Sequence, residues 1–253
     1  MRTWILLRGL ARESGHWGDF VGQLQKALPG DRLIALDLPG NGVLHRQPSP
    51  VRVEAMVEHC RAELGRLGAT PPFHLLGLSM GGMVVACWLQ THPGELGGGV
   101  LINTSLRPFS PFHHRLRPGA WWPLLGSLAS VGARSAERRI LRLTSNLPPR
   151  QRAVLDAWTV LRQAHPVSAT NSLRQLLAAA RFRAQTQGPD VPVLVLNSQG
   201  DRLVDPRCSN ALVQRWQCAA ATHPLAGHDL TLDAGKWVAA EIARWLGAAD
   251  RGG

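Results

Sequence analysis

A serine lies in a glycine-flanked pentapeptide, GLSMG, that could present it as a nucleophile. The apolar run FHLLGL precedes Ser79, and a segment rich in small and apolar residues follows it. This context predicts a strand, a sharp turn and a helix. Strand and helix approach closely at such a turn, which leaves no room for side chains at Gly77 and Gly81. The helix start would also supply backbone N–H groups beside Ser79. The alternative is an inert turn, since glycine and serine are common residues.

A serine hydroxyl needs a general base, and that base needs a carboxylate to orient it. After a serine on a turn of this kind, the expected chain order is serine, acid, histidine. Asp201 lies just past the buried-strand pattern VPVLVLNS, and His228 lies in a glycine-containing loop after the last strand pattern. Their rivals are Asp205, four residues beyond Asp201, and His223, which is closer to its strand.

The remaining histidines and acids lack such a context. We expect Asp229 to be a loop or helix-capping residue, because its side chain and that of its neighbour His228 would rarely face each other productively. Surface or packing roles are expected for His16, His45, His74, His92, His113 and His114. None of these forms a metal-ligand spacing such as H-E-x-x-H, so we predict neither a metal nor another cofactor.

Short buried strands alternate with amphipathic helices in two parts of the chain, residues 1–104 and 191–253. The repeated pattern predicts an α/β fold with a mostly parallel sheet and helices on both faces. Residues 105–190 do not follow this alternation of strands and helices. They contain two or three helix-like stretches and no convincing strand. We interpret them as a helical insertion that lies across the edge of the sheet as a lid.

The positive charge of the chain is concentrated in the predicted lid. Residues 105–190 hold 13 Arg and 3 acidic residues, a net charge of +10 out of +11 for the whole chain. Such a surface would steer an acidic partner towards the protein. Nucleic acid is not the expected partner, because no helix-turn-helix, RNP or zinc-finger pattern is present.

Large apolar side chains in the same segment predict the wall of an acyl pocket, although they could equally attach the lid to the core. The candidates are Phe109, Phe112, Trp121, Trp122 and Trp158. Arg162 lies four residues after Trp158, so the two share one helix face.

The four cysteines are far apart and form no C-x-x-C pair, which favours a reducing compartment. The N-terminal apolar run is too short for a signal peptide, and no run approaches the roughly 18 apolar residues of a membrane span. We therefore expect a soluble, cytoplasmic protein without a membrane span, and a monomer.

Five motifs in this order resemble the α/β-hydrolase superfamily: LLRGLARESGHW, ALDLPGNG, GLSMGGMV, SQGDRLVDP and AGHDL. Among its members, the chain is most similar to compact esterases with a helical lid, such as the pimeloyl-acyl-carrier-protein methyl ester esterases. The resemblance implies the α/β-hydrolase fold and an oxyanion hole formed by the backbone N–H groups of Leu10 and Met80. Gly9 would form the turn before Leu10.

One residue departs from the family pattern, since Arg8 stands where these enzymes usually have histidine. We expect Arg8 to pair with an acid such as Glu13 or Asp37, while contact with an anionic substrate group is the alternative. Trp17 is expected to begin the following helix and to pack beneath the loop.

The resemblance implies a cofactor-independent serine carboxylesterase that works through Ser79, Asp201 and His228. Its substrate would be a small-molecule ester or the methyl ester of an acyl chain bound to an acidic carrier protein, as in biotin synthesis. The alternatives are a lyase or acyltransferase that uses the same three residues, or a non-catalytic binding protein of the same fold.

Overall fold

A six-stranded parallel sheet forms the centre of the computed structural model, which describes residues 1–128, 132–147 and 151–252. The spatial strand order is β2-β1-β3-β4-β5-β6, and every neighbouring pair is parallel. The strands are β1 (Thr3–Leu7), β2 (Arg32–Leu36), β3 (Phe73–Leu78), β4 (Leu96–Ile102), β5 (Val193–Ser198) and β6 (Ala219–His223). The predicted α/β class is confirmed, and the sheet is parallel throughout.

Helices cover both faces of the sheet because alternate residues of each strand point to opposite sides. Ile5 and Leu7 face one apolar cluster, whereas Trp4 and Leu6 face the other. The first cluster is covered by α2 (Val53–Arg66), α3 (Met80–Thr91) and α9 (Arg207–Trp216). The second is covered by α1 (Phe20–Ala27) and α10 (Leu230–Gly252), which is kinked at Ala234.

Residues 105–190, hereafter the helical insertion, connect β4 to β5. Their described part contains α4 (Phe112–Arg115), α5 (Pro118–Leu128), α6 (Ala133–Thr144), α7 (Gln151–Ala164) and α8 (Ala169–Arg181), and no named strand. A hydrogen bond joins the two ends of the insertion, in which Ala184 N–H donates to the Arg107 carbonyl at 2.8 Å. The predicted lid also includes residues 129–131 and 148–150, which lie outside the described residues.

The expectation that Trp17 begins a helix is wrong. Trp17 ends a short 3₁₀ turn, Ser14–Trp17, and α1 begins only at Phe20. Gly18 lies between them with φ 49°, a left-handed conformation that interrupts right-handed helical winding.

Two further predictions concern cysteines and membranes. All four cysteines are free thiols. Within the described ranges, no helix has both the length and the apolar character that crossing a membrane requires.

Candidate active site

Ser79 sits at the turn between β3 and α3 in a strained conformation. Its φ and ψ angles are 58° and −117°, a cost of about 1–3 kcal/mol for a residue other than glycine. The flanking glycines make this turn possible. A Cβ atom on Gly77 would lie 2.4 Å from the Gly81 carbonyl oxygen, and one on Gly81 would lie 2.1 Å from the Leu7 carbonyl oxygen. The turn therefore holds Ser79 between closely packed backbones.

His228 and Asp201 form a buried pair at the carboxyl edge of the sheet. His228 Nδ1 lies 2.7 Å from Asp201 Oδ2. The other carboxylate oxygen, Oδ1, accepts the backbone N–H groups of Leu203 at 2.7 Å and Val204 at 2.9 Å. Because both carboxylate oxygens have partners, Asp201 can hold the imidazole in one orientation and tautomer.

The two rival residues have other partners. Asp205 binds Arg207, with Oδ2 2.7 Å from Nη2, and the hydrogen bond from that guanidinium lowers the pKa of Asp205 to about 2. His223 ends β6, where its Nδ1 accepts backbone N–H groups from Leu225 and Ala226. In the part of the chain that the structure describes, neither rival bonds to the Asp201–His228 pair.

Ser79 and His228 line the same cavity. No hydrogen bond between their side chains is found among the described residues.

Two backbone N–H groups beside Ser79 are available to a ligand. Those of Leu10, in the turn after β1, and Met80, the first residue of α3, donate to no other group within the described ranges. Leu10, Ser79 and Met80 line one compartment of the cavity. This arrangement can stabilise a negatively charged oxygen formed at a carbonyl attacked by Ser79.

The cavity has two compartments that meet at Ser79, Leu10, Leu124, Leu176 and Leu203. The first, of about 120 Å³, is further lined by Arg12, Thr144, Arg162, Ser172 and His228, although most of its surface is apolar. The second, of about 350 Å³, is the apolar compartment, and its further lining includes Met80, Met83, Phe112, Trp121, Ala179 and Val204. Two portions of one substrate could therefore extend from Ser79, one into each compartment.

The predicted aromatic residues of the insertion occupy different places. Trp121 lines the apolar compartment and stacks on Phe112, with ring centroids 6.4 Å apart. Trp122 is 80% exposed and borders a separate surface groove. Trp158 is not among the residues that line either compartment, because it is buried against Leu141 and Leu155.

The expectation that Arg8 pairs with Glu13 or Asp37 is wrong. Arg8 binds Asp229 through two contacts, Nη2–Oδ2 at 2.5 Å and Nη1–Oδ1 at 3.3 Å. Glu13 instead contacts His165, and Asp37 accepts the Ser14 and Val43 N–H groups.

The Arg8–Asp229 pair is buried directly beside His228. Burial alone would raise the pKa of Asp229, but the charge and hydrogen bonds of Arg8 outweigh it and hold that pKa below its usual value. Asp229 also accepts Leu232 N–H near the start of α10, so the capping role expected for it is present as well. Arg8 lies 4.8 Å from the centre of the Trp17 ring. Arg8 therefore anchors the loop that carries His228, and it also lines the cavity that contains Ser79.

A second buried cluster joins the core to the helical insertion, and sequence analysis missed its centre, Glu137. Glu137 accepts from Arg12 Nη1 at 2.6 Å and from Arg162 Nη1 at 2.9 Å, and its side chain is 1% exposed. The Arg12 guanidinium lies 4.3 Å from the centre of the Trp158 ring. We call Arg12, Glu137 and Arg162 the Glu137 cluster.

His16 packs against the same cluster and must remain uncharged there. Burial, followed by the positive charges of Arg12, Arg8 and Arg162, holds the pKa of His16 well below its usual value. As for metals, the described ranges contain no group of three or more histidine, cysteine or acidic side chains that could hold an ion.

Comparison with protein families identifies the fold independently. A family model described as "Alpha/beta hydrolase family" matches residues 4–241. The enol-lactonase from Burkholderia xenovorans LB400 superimposes with a TM-score of 0.78 at 19% identity, covering 97% of this chain and 91% of the enzyme. This structural likeness supports the fold alone.

Two curated relatives resemble parts of the chain. A pimeloyl-[acyl-carrier protein] methyl ester esterase from Xylella fastidiosa is 37% identical over 100 residues, covering 40% of this chain. The biotin biosynthesis bifunctional protein BioHC from Teredinibacter turnerae is 26% identical over 231 residues, covering 82% of this chain. These matches span only 36% and 38% of the relatives' own lengths.

Proposed function

This chain belongs to the alpha/beta hydrolase family, and from that premise we propose that it is a serine carboxylesterase. The observation that carries the proposal is the buried Asp201–His228 pair, which opens onto the same cavity as the strained Ser79. A serine forced into this conformation, beside a histidine oriented by a carboxylate, is the arrangement that acyl transfer requires.

The proposed reaction has two halves. Ser79 Oγ attacks the ester carbonyl carbon while His228 accepts the hydroxyl proton, and Asp201 stabilises the resulting imidazolium. The Leu10 and Met80 N–H groups bind the oxyanion. Collapse of the tetrahedral intermediate breaks the bond to the alcohol, which leaves with the proton from His228. Water then attacks the acyl-enzyme by the same route and releases the acid.

The helical insertion supports the proposal as the lid of this site. Leu124 on α5, Arg162 on α7 and Leu176 on α8 all line the cavity that contains Ser79. A hydrophobic roof of this kind would exclude bulk water while the acyl-enzyme forms. Arg162 is the one cation of the Glu137 cluster whose side chain is substantially accessible, at 29%, so we assign it a substrate contact.

We further propose that the substrate is an ester carried by an acidic acyl carrier protein, as the name of the Xylella relative suggests. The supporting observation is a surface groove of about 860 Å³ lined by Arg117, Arg139, Arg142 and Arg202 together with the exposed Trp122. Among the residues that the structure describes, no acidic side chain lines this groove. An acidic carrier would find complementary charge there, and the apolar compartment has room for an acyl chain.

The reaction class is tested with p-nitrophenyl acetate and butyrate, followed by labelling with a fluorophosphonate. The expected result is saturable hydrolysis of both esters and a single label on Ser79. Lack of turnover together with lack of labelling would refute the enzyme and favour a non-catalytic binding protein. Product that appears only when a second alcohol is supplied would instead identify an acyltransferase.

The carrier proposal needs a separate test. Replacing Arg139 and Arg142 by Glu should raise KM for an acyl-carrier substrate at low salt and leave KM for p-nitrophenyl butyrate unchanged. Arg183→Glu is the matched control, because Arg183 is an exposed arginine of the insertion that does not line the groove. Unchanged KM values in the double variant would refute the carrier site. Rescue of a biotin auxotroph that lacks its methyl esterase would identify the pathway.

A further inference from the structure

Gln175 on α8 of the helical insertion is completely buried, and its side chain contacts two loops of the core, one after β1 and one between β2 and α2. Its Oε1 accepts the backbone N–H of Ala11 at 2.8 Å. Its Nε2 donates to Asn41 Oδ1 and to Ser49 Oγ, both at 2.9 Å. A buried amide with a partner for its acceptor and for both donors is held in a single orientation.

The Ala11 contact lies in the turn that carries the Leu10 N–H group. Ala11 has φ 52°, a conformation that residues other than glycine rarely adopt and that surrounding contacts must maintain. Arg12 N–H donates to the Gly9 carbonyl at 3.2 Å, and the N–H of Leu10 belongs to the same planar peptide group as that carbonyl. Because a trans peptide directs its C=O and N–H to opposite sides, this bond turns the Leu10 N–H away from Arg12.

Gln175 fixes the next peptide group along the chain. The N–H that it accepts belongs to the Leu10–Ala11 peptide, so two consecutive peptide planes are anchored on either side of Leu10. One anchor comes from the turn itself and the other from the helical insertion. Without the second anchor, the strained Ala11 could relax and carry the Leu10 N–H out of alignment.

We infer that Gln175 is a positioning residue for the oxyanion hole, which holds the Leu10 N–H in its catalytic direction through the Ala11 N–H. This inference rests on the proposed function, because it assigns Gln175 a part in the same reaction. The geometry of the oxyanion hole then depends on residues of both the core and the insertion. The described hydrogen bonds of the Gln175 side chain go to Ala11, Asn41 and Ser49 and not to Ser79 or His228, so its effect on the rate passes through the backbone.

A merely structural role is the competing explanation, and Asn171 provides the matched control. Asn171 lies one turn earlier on α8, is 5% exposed and belongs to the same polar network, where it accepts Ser49 N–H and donates to the His45 and Gln47 carbonyls. It makes no bond to the Gly9–Arg12 turn and lines neither compartment. Loss of either side chain should lower stability, but only loss of Gln175 should disturb the oxyanion hole.

The test compares Gln175→Met with Asn171→Leu, each of which keeps the approximate shape of the side chain and removes its amide. Hydrolysis of p-nitrophenyl butyrate gives kcat and KM, and a butylboronic acid gives the affinity for a tetrahedral adduct of Ser79. We expect Gln175→Met to lower kcat by about tenfold or more, since complete loss of one oxyanion donor costs about 10²–10³-fold. KM should change little, and boronate affinity should fall in parallel with kcat/KM. Asn171→Leu should keep both kcat and boronate affinity.

Urea unfolding of each variant shows how far stability has changed. If Gln175→Met does not fold, Gln175→Asn gives the same test, because its amide is one methylene too short to reach Ala11. Equal kcat losses in the Gln175 and Asn171 variants, or wild-type kcat in the Gln175 variant, would overturn the inference. A wild-type protein that neither turns over the ester nor reacts with a fluorophosphonate would instead overturn the proposed function.

Discussion

Two groups of three polar side chains lie beside the same cavity but are assembled in different ways. Ser79, Asp201 and His228 follow strands of one sheet, so the regular spacing of parallel strands brings them together at its carboxyl edge. The Glu137 cluster joins a loop of the core to α6 and α7 of the helical insertion. In our proposal, the first group makes and breaks bonds. The second holds the insertion on the core and directs positive charge into the cavity.

The largest effect is expected when the acid is removed from the group formed by Ser79, Asp201 and His228. Asp201→Asn should lower kcat by about 10⁴-fold, because an amide favours the wrong imidazole tautomer and stabilises the imidazolium poorly. Steady-state hydrolysis of p-nitrophenyl butyrate measures the loss. Asp205→Asn is the control, since Asp205 pairs with Arg207, and it should keep kcat close to the wild-type value. A reversed order of the two losses would assign the acid to Asp205.

Disruption of the Glu137 cluster should have the second largest effect, a loss of free energy of unfolding. Glu137→Gln leaves Arg12 and Arg162 without their shared carboxylate, and loss of one partner of a buried ion pair costs about 3–5 kcal/mol in free energy of unfolding. Urea unfolding provides the measurement. Asp156→Asn breaks the exposed pair with Arg134 and should cost no more than about 1 kcal/mol. Similar losses in the two variants would show that the Glu137 cluster does not hold the insertion in place.

The third and smallest effect concerns the pH dependence of the contact between core and insertion. The pKa of His16 lies well below 6.5 in the folded protein, so the unfolded chain binds a proton that the folded chain excludes. The contribution of His16 to stability is therefore complete above about pH 6.5 and declines as the pH falls below it, by up to about 1.4 kcal/mol per pH unit. His16→Gln should reduce this slope between pH 6.5 and 5, measured by urea unfolding. Equal slopes in both proteins would contradict this account of His16.

Local sequence patterns predicted much of the fold and the positions of Ser79, Asp201 and His228. Each strand is a short apolar run that ends in turn residues, and the glycines around Ser79 mark a place where strand and helix backbones nearly touch. The order of Ser79, Asp201 and His228 along the chain then follows from the order of the strands. Such features depend on neighbours in sequence, which is why they could be predicted.

Contacts between residues that are distant in sequence were missed or mistaken. Arg8 was expected to bind an acid close in sequence, yet its partner Asp229 is 221 positions away. Glu137 lies in an arginine-rich amphipathic helix, and Gln175 lies in one whose polar residues suggest a solvent-facing surface. Nothing in the local pattern distinguishes a buried polar residue from an exposed one there. Only the packing of α6 and α8 against the loop after β1 decides it.

The most direct test of the account is capture of the acyl-enzyme on Ser79. The protein is mixed with excess p-nitrophenyl butyrate, quenched in acid within the first turnover and digested for mass spectrometry. We expect one added butyryl group on the peptide that contains Ser79 and no adduct in Ser79→Ala. The butyryl-enzyme should accumulate further in any variant whose deacylation is slowed. A butyryl group on another residue, or wild-type turnover by Ser79→Ala, would contradict it.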